Sequence, residues 1–313
     1  MQRLGGGTER ISVVTGAFGF SGQEIASLLL QRGESVRTLT NHPNPDSPLA
    51  KRVEVHPLDF GNLEQLTASL RGAAVVYNTY WIRFPYRGLT HAQAVANTKN
   101  LIRAAEAAGV KRIVHVSITK PSPDSPLSYF SGKAELEEEI RNSSLSYAIL
   151  RPAVLFGTGD ILINNIAYML RRFPLFMIPG DGQYRVQPIH VGDLAELAVE
   201  AGYRTDNHVL DTVGPERYSY LEMAKMIRSA IRSRALLVRT PAPVVRVASW
   251  LLGLLVRDVV LTDEEIQGLM DDLLVSDSVP TGRTSLKNWV AQHSSELGQS
   301  YASELKRHYL GVR

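Results

Sequence analysis

The chain contains no cysteine in 313 residues. This removes disulfides, thiolate catalysis and cysteine-bound zinc together. It also lacks a charge excess: 34 Lys and Arg against 31 Asp and Glu leave +3. The arginines are scattered among acids, so whole-chain charge points to neither nucleic acid nor a membrane as partner. No apolar run is long enough to span a bilayer. The most apolar stretch, Val244 to Val256, is broken by Arg246 and reads as a buried or interfacial helix. Packing in the core or a lobe is its first use, and docking to a partner or membrane surface is the alternative. Met1 to Arg10 has no apolar core, which argues against a signal peptide, and Gly5, Gly6 and Gly7 look like a flexible lead-in. A cytoplasmic setting is expected. The eight histidines form no metal-binding spacing, so no metal is expected.

What is present is an ordinary globular composition, 44% hydrophobic and 21% charged. The first half alternates strand-like and helical patterns, the sign of a parallel sheet with crossover helices. Strands are predicted at Ile11 to Thr15, Ser35 to Thr40, Val53 to His56, Ala74 to Asn78, Arg112 to Ser117 and Ser146 to Arg151. Helices are predicted at Ser21 to Arg32, Asn62 to Leu70 and His91 to Ala108. Ser125-Pro126 has the form of an N-cap and first-turn proline. The helix it opens runs through Lys133 to about Arg141. Alternation then stops. Gly159 to Gly182 looks helical and loop-like, a helix over Asp193 to Ala201 leads to a last strand at His208 to Val213, and the remainder reads as mainly helical. The expected fold is α/β, a Rossmann-type doubly wound parallel sheet with a smaller, mostly helical C-terminal lobe. Residues 1–158, completed by about 186–214, form the sheet domain; 159–185 and 215–313 form the lobe.

Thr15-Gly16-Ala17-Phe18-Gly19-Phe20-Ser21-Gly22 stands between the first strand and first helix. Gly16 permits a tight turn, Gly19 lets backbone approach a pyrophosphate, and Gly22 packs helix on strand. The helix start then offers N–H groups and positive dipole to the phosphates. The reading is a dinucleotide site formed by Thr15, Gly16, Phe18, Gly19, Phe20 and Gly22; the alternative is a glycine turn with no ligand. The second strand ends Leu39-Thr40-Asn41-His42-Pro43, without the acid that grips a ribose 2′-hydroxyl. Asn41 and His42 offer hydrogen bonds to a phosphate or form a plain turn before Pro43. Either NAD or NADP fits, with the balance leaning to NADP.

The spacing Thr-Gly-x-x-Gly-x-x-Gly resembles extended and atypical short-chain dehydrogenases, the NAD-dependent epimerase/dehydratase-like group. Asp59, Asn97-Thr98-Lys99-Asn100, Arg151-Pro152 and Pro188-Ile189-His190-Val191-Gly192-Asp193 extend the resemblance. It implies that Asp59 touches adenine, unless it serves as a helix N-cap, and that Asn78 and Pro152 join the cofactor set. Ser117 ends the fifth strand, and Tyr129 and Lys133 share a helical face at i, i+4. The resemblance makes Tyr129 the acid/base. It also implies that Lys133 lowers the tyrosine pKa and holds the nicotinamide ribose, and that Ser117 hydrogen-bonds the reacting oxygen. The other reading has Tyr129 in the core and Lys133 solvated beside Glu135 and Glu137. The acids Glu135, Glu137, Glu138 and Glu139 read as a solvated face. Gly132, in mid-helix, implies close approach of a neighbour or cofactor.

The chain departs from sugar-nucleotide epimerases after the fourth strand, where Tyr80, Trp81 and Arg83 stand in place of small residues. They line an aromatic substrate pocket with Arg83 as an anion anchor, or they crowd it. His190 faces the cleft by the family match; the alternative is a structural histidine. The run Asp160 to Ala167, with Leu261-Thr262-Asp263-Glu264-Glu265, is most similar to bacterial relatives of the accessory subunit of respiratory complex I. In that group a bound NADPH can serve structure instead of catalysis. The implied activity is an oxidoreductase or epimerase/dehydratase acting on a small molecule. The alternative is a non-catalytic NAD(P)H-binding assembly, sensor or regulatory protein. The resemblance also implies that two copies can pair as a homodimer.

Overall fold

The computed structural model describes residues 10–308. The lead-in at Gly5, Gly6 and Gly7 lies outside them. Short runs of branched apolar residues form the centre: β1 (Ile11–Thr15), β2 (Ser35–Leu39), β3 (Glu54–His56), β4 (Ala73–Asn78), β5 (Arg112–Val116) and β6 (Ser146–Pro152). They alternate with α1 (Phe20–Gln31), α2 (Leu63–Leu70), α3 (His91–Ala107) and α4 (Ser128–Asn142). The chain continues through β7 (Leu155–Phe156), α5 (Leu162–Arg172), β8 (Leu175–Pro179), β9 (Arg185–Val186), β10 (Ile189–His190), α6 (Val191–Tyr203) and β11 (His208–Thr212). It ends with β12 (Tyr218–Ser219), α7 (Tyr220–Ala230), β13 (Leu236–Thr240), α8 (Ala242–Val256), α9 (Asp263–Met270), α10 (Leu286–Gln292) and α11 (Glu304–His308).

Seven strands make one sheet in the order β11-β6-β5-β4-β1-β2-β3, and every pairing in it is parallel. Parallel strands are covered on both faces, which is why β1 and β4 are almost wholly buried and read as continuous apolar runs. One face carries α1 packed on α6, the other α2, α3 and α4. This is the Rossmann-type doubly wound sheet. Strand order reverses between β1 and β4, the switch point at which such sheets open a crevice. A separate apolar cluster, from Phe156 through Phe176, Met223 and Trp289, joins α5, α7 and α10.

Two five-residue strands, besides the two-residue β12, fall where the sequence reads as helix or loop. β8 and β13 pair in parallel, Leu175 with Leu236 through Pro179 with Thr240. Their short apolar runs carry no period that separates strand from helix. The start of α4 also differs: the helix begins at Ser128, and Leu127, with no capping side chain, takes the N-cap place expected of Ser125. The cap comes from another element. Glu264 of α9 accepts from the Ser128 hydroxyl at 2.7 Å and from the backbone N–H groups of Ser128 and Tyr129 at 3.3 Å.

Gly202, at the end of α6, lies so close to Tyr77 in β4 that a Cβ would sit 1.9 Å from the phenol oxygen. Gly202→Ala should therefore cost roughly 1–3 kcal/mol, seen as a lower urea midpoint at unchanged slope. Adding Tyr77→Phe should recover part of the loss.

Candidate functional site

The switch-point crevice is a cavity of about 2000 Å³ whose wall includes Phe18 to Ser21, the end of β2, the segment after β4 and the start of α4. An ordinary small-molecule pocket holds roughly 300–1,000 Å³, so there is room for more than one ligand. At its floor Gly16 turns the chain with φ +68°, a left-handed value that favours glycine. A Cβ on Gly22 would lie 2.2 Å from the Gly16 carbonyl oxygen. Helix α1 can therefore start against the turn only because residue 22 has no side chain. Its N-cap, Gly19, places no side chain over the first-turn amides, whereas Asn62, Thr90, Ser219 and Thr262 cap α2, α3, α7 and α9 with their side chains. An uncapped helix start facing a crevice suits a diphosphate. Thr15 stands behind it. Its hydroxyl accepts from the backbone N–H groups of Thr79 and Tyr80 and donates to Asn78, tying β1 to β4.

Several predicted cofactor contacts take other roles. Asn78 is fully buried: its Oδ1 accepts from Thr15 and the Tyr80 amide, while its Nδ2 lies 2.9 Å from His115 Nδ1. It faces inward as a brace. Asn41 clasps Leu58 in both directions, Nδ2 to the carbonyl at 2.6 Å and Oδ1 from the N–H at 3.0 Å. Both ends of its amide are thus engaged. Asp59 folds onto its own turn, accepting from Gly61 N–H at 2.9 Å; Asn62, not Asp59, caps α2. Arg37 binds Glu54 and the carbonyls of Ser69 and Arg71. His42 and Thr40 remain in the crevice wall at the end of β2, and no carboxylate joins them there. Pro152 lines the crevice near the end of β6.

On α4 the structure keeps Tyr129 and Lys133 in the crevice wall. Lys133 is not solvated: it is 2% exposed, donates to the Val116 carbonyl at 2.7 Å and lies 4.4 Å from the centre of the Trp81 ring. Burial pulls its pKa down to about 7, against a smaller opposing pull from Glu137. Tyr129 packs edge-on against Trp81 and His91. Burial raises its phenol pKa, and the carboxylates of Glu265 and Glu304 raise it further. The phenol is therefore protonated throughout the neutral range, a hydrogen-bond donor that releases its proton less readily than a free tyrosine. Ser117 lies in the wall, but its hydroxyl donates to Glu137 at 2.7 Å. The proton expected to serve a reacting oxygen points away.

Glu137 is the residue the sequence reading misplaced. It is 1% exposed, takes two hydrogen bonds from Arg151 and one from Arg141, and anchors Ser117. The signal was present: 129, 133 and 137 repeat at four residues and share one face. Gly132 is explained by Trp81 and Val95, each 3.1 Å from where a Cβ would stand. Tyr80 accepts from Asn97 Nδ2 at 2.9 Å and, like Trp81, lines the crevice. Trp81 Nε1 is buried without a hydrogen-bond partner among the described residues. Arg83 is no free anion anchor, because it pairs with Glu265 and the Val260 carbonyl. His190 is structural: its Nδ1 accepts from Gly192 N–H to cap α6, and its ring packs on Phe156.

Two outcomes test this geometry. Gly22→Ala should cost roughly 1–3 kcal/mol and weaken nicotinamide dinucleotide binding in a fluorescence titration. Lys133 holds its proton with a pKa of about 7 when folded and 10.5 when free. The unfolded chain thus binds more protons between those values, and stability from this group rises with pH across that window. Denaturant titrations should show a gain of about 2 kcal/mol from pH 7 to pH 9 that Lys133→Met lacks.

Residues 16–164 match the protein family described as NAD(P)H-binding. The chain is 26% identical to NADH dehydrogenase (ubiquinone) 1 alpha subcomplex subunit 9 of Arabidopsis thaliana, a mitochondrial protein, over 86% of this chain and 71% of that one. It is also 26% identical to the ceramide reductase of Caulobacter vibrioides over 74% of each. An NADPH-dependent quinone oxidoreductase from Escherichia coli, solved with NADPH, shares the fold at TM-score 0.73 and 19% identity, covering 91% of this chain and 99% of that one. Residues 16–164 thus resemble an NAD(P)H-binding domain, the chain shares its fold with the quinone oxidoreductase, and the complex I subunit and the ceramide reductase are among its relatives.

Proposed function

We propose that this protein is an NADP-dependent reductase of an apolar carbonyl compound. The observation that carries the reading is the continuity of one cavity. It runs from the glycine turn, past Tyr129 and Lys133, into a compartment walled by α5, β8 and α8. The division into a nucleotide-binding part and a lobe that covers the substrate belongs to this proposal.

The residues fit a nicotinamide dinucleotide. The uncapped start of α1 would take the diphosphate, Thr40 and His42 the adenosine ribose, and Lys133 and Pro152 the far end. The absence of a carboxylate at the end of β2 favours NADP over NAD. A bound reduced nicotinamide would supply hydride. Tyr129, kept protonated by burial, would hydrogen-bond the substrate oxygen and pass its proton to it as hydride arrives. Tyr80 and Trp81 form an aromatic wall beside that oxygen. Ser117 is left out of the donor set and serves as a brace through Glu137. Similarity to a ceramide reductase supports both the reductive direction and an apolar substrate.

One observation favours a second reading. Lys133 is satisfied by a main-chain carbonyl and covered by Trp81, as in a site that holds NAD(P)H for structure. The relative in complex I fits that reading.

A single series separates them. NADPH should bind saturably, more tightly than NADH, and long-chain ketones should drive its oxidation. Tyr129→Phe should lower kcat by about 10²-fold or more with NADPH affinity nearly unchanged. Undiminished turnover in that variant removes Tyr129 from the chemistry. Tight NADPH binding with no oxidation by any carbonyl probe selects the structural reading.

A further inference from the structure

Helix α8 is expected to pack in the core or lobe and does not. Of its fifteen residues only Val245 is buried. Val244, Val247, Trp250, Leu251, Leu254 and Leu255 recur at three- and four-residue spacing and point outward, with Trp250 64% and Leu255 71% exposed. The same surface continues on the β8–β13 pair, where Leu175 faces Leu236 and Met177 faces Val238, all four exposed. A contiguous apolar patch of this kind marks a surface with a partner.

Charge identifies the partner. Between Arg228 and Arg257 the chain has six arginines and no Asp or Glu. The small net charge of the whole chain hides this run. Arg232, Arg234, Arg239 and Arg257 are exposed and, among the described residues, unpaired by any carboxylate; Arg246 pairs with Asp263. A self-complementary face between two copies would bring these arginines toward one another. An anionic lipid surface would neutralise them, and an apolar helix with basic flanks and a tryptophan suits the interfacial layer. No helix among the described residues is long and apolar enough to cross a membrane, so α8 would lie in the plane. Its inner edge also meets the crevice: Leu251, Leu252 and Leu255 line the cavity together with Leu175 and Met177 of β8.

We propose that α8 and the outward face of β8–β13 rest on an anionic lipid bilayer, and that the crevice opens there to receive a lipid-borne substrate. The docking stands without the reductase reading; the substrate route rests on it.

The test uses the full chain and vesicles of phosphatidylcholine alone or with phosphatidylglycerol. Flotation should recover the protein with the phosphatidylglycerol vesicles, and high salt should reduce recovery. Tryptophan emission should shift to the blue on binding, and Trp250→Phe should abolish the shift. Val247→Glu with Leu254→Glu, or Arg234→Glu with Arg239→Glu, should each lower vesicle affinity at least about tenfold. These four positions lie outside the cavity wall, so circular dichroism and NADPH affinity should not change. Failure to float with either vesicle overturns the proposal. So does equal recovery with neutral vesicles, or a dimer in solution that Leu254→Glu dissociates while lipid has no effect. Vesicle binding with no NADPH binding would leave the docking intact and remove the reductase reading.

Discussion

The site depends on one close approach, the backbone of α1 at Gly22 against the carbonyl of Gly16. With no side chain between them, the helix begins at the very end of β1 and its first amides face the crevice. Any larger residue would push the helix away and turn those amides elsewhere. The sheet order sets this start at the point of reversal between β1 and β4. Thr15 then locks the two strand ends together through Thr79, Tyr80 and Asn78. Ligand position is thus set by backbone fit, which no side-chain rotamer can relax.

The second constraint is electrostatic. A lysine and a glutamate are both buried on one face of α4, four residues apart. Glu137 is offset by Arg151, Arg141 and the Ser117 hydroxyl; Lys133 has a carbonyl and an indole face. Burial of this kind costs free energy unless each group is satisfied. The arginine pair answers that demand for the carboxylate, while the lysine answers it by binding its proton less tightly. Tyr129, one turn earlier, feels the Arg83 guanidinium only weakly against its burial and the nearby carboxylates, and it stays neutral.

The sheet was legible because parallel strands announce themselves as branched apolar runs between helical periods; β1 to β6 and β11 fall close to where pattern alone places them. The glycine turn was legible for the same local reason. Residue roles were less so. Asn41, Asn78, Asp59 and His190 stand near the expected positions, yet each spends its polar atoms on neighbouring protein groups. Sequence spacing gives proximity to a crevice and not the direction of a lone pair. Glu137 was hidden because its partners Arg151 and Ser117 are distant in sequence, and β8 and β13 because apolar runs of five and three residues define no period.

The cap that Glu264 places on α4 joins parts of the chain 136 and 135 residues apart. It follows that the tyrosine-bearing helix is seated by a segment beyond the boundary of the nucleotide-binding match. A fragment cut at that boundary would lose this anchor, and with it α6, on which α1 packs. Exchange of the terminal third between relatives would likewise reseat α4 without touching the glycines. Neither the glycine turn nor α4 is self-sufficient within the matched segment.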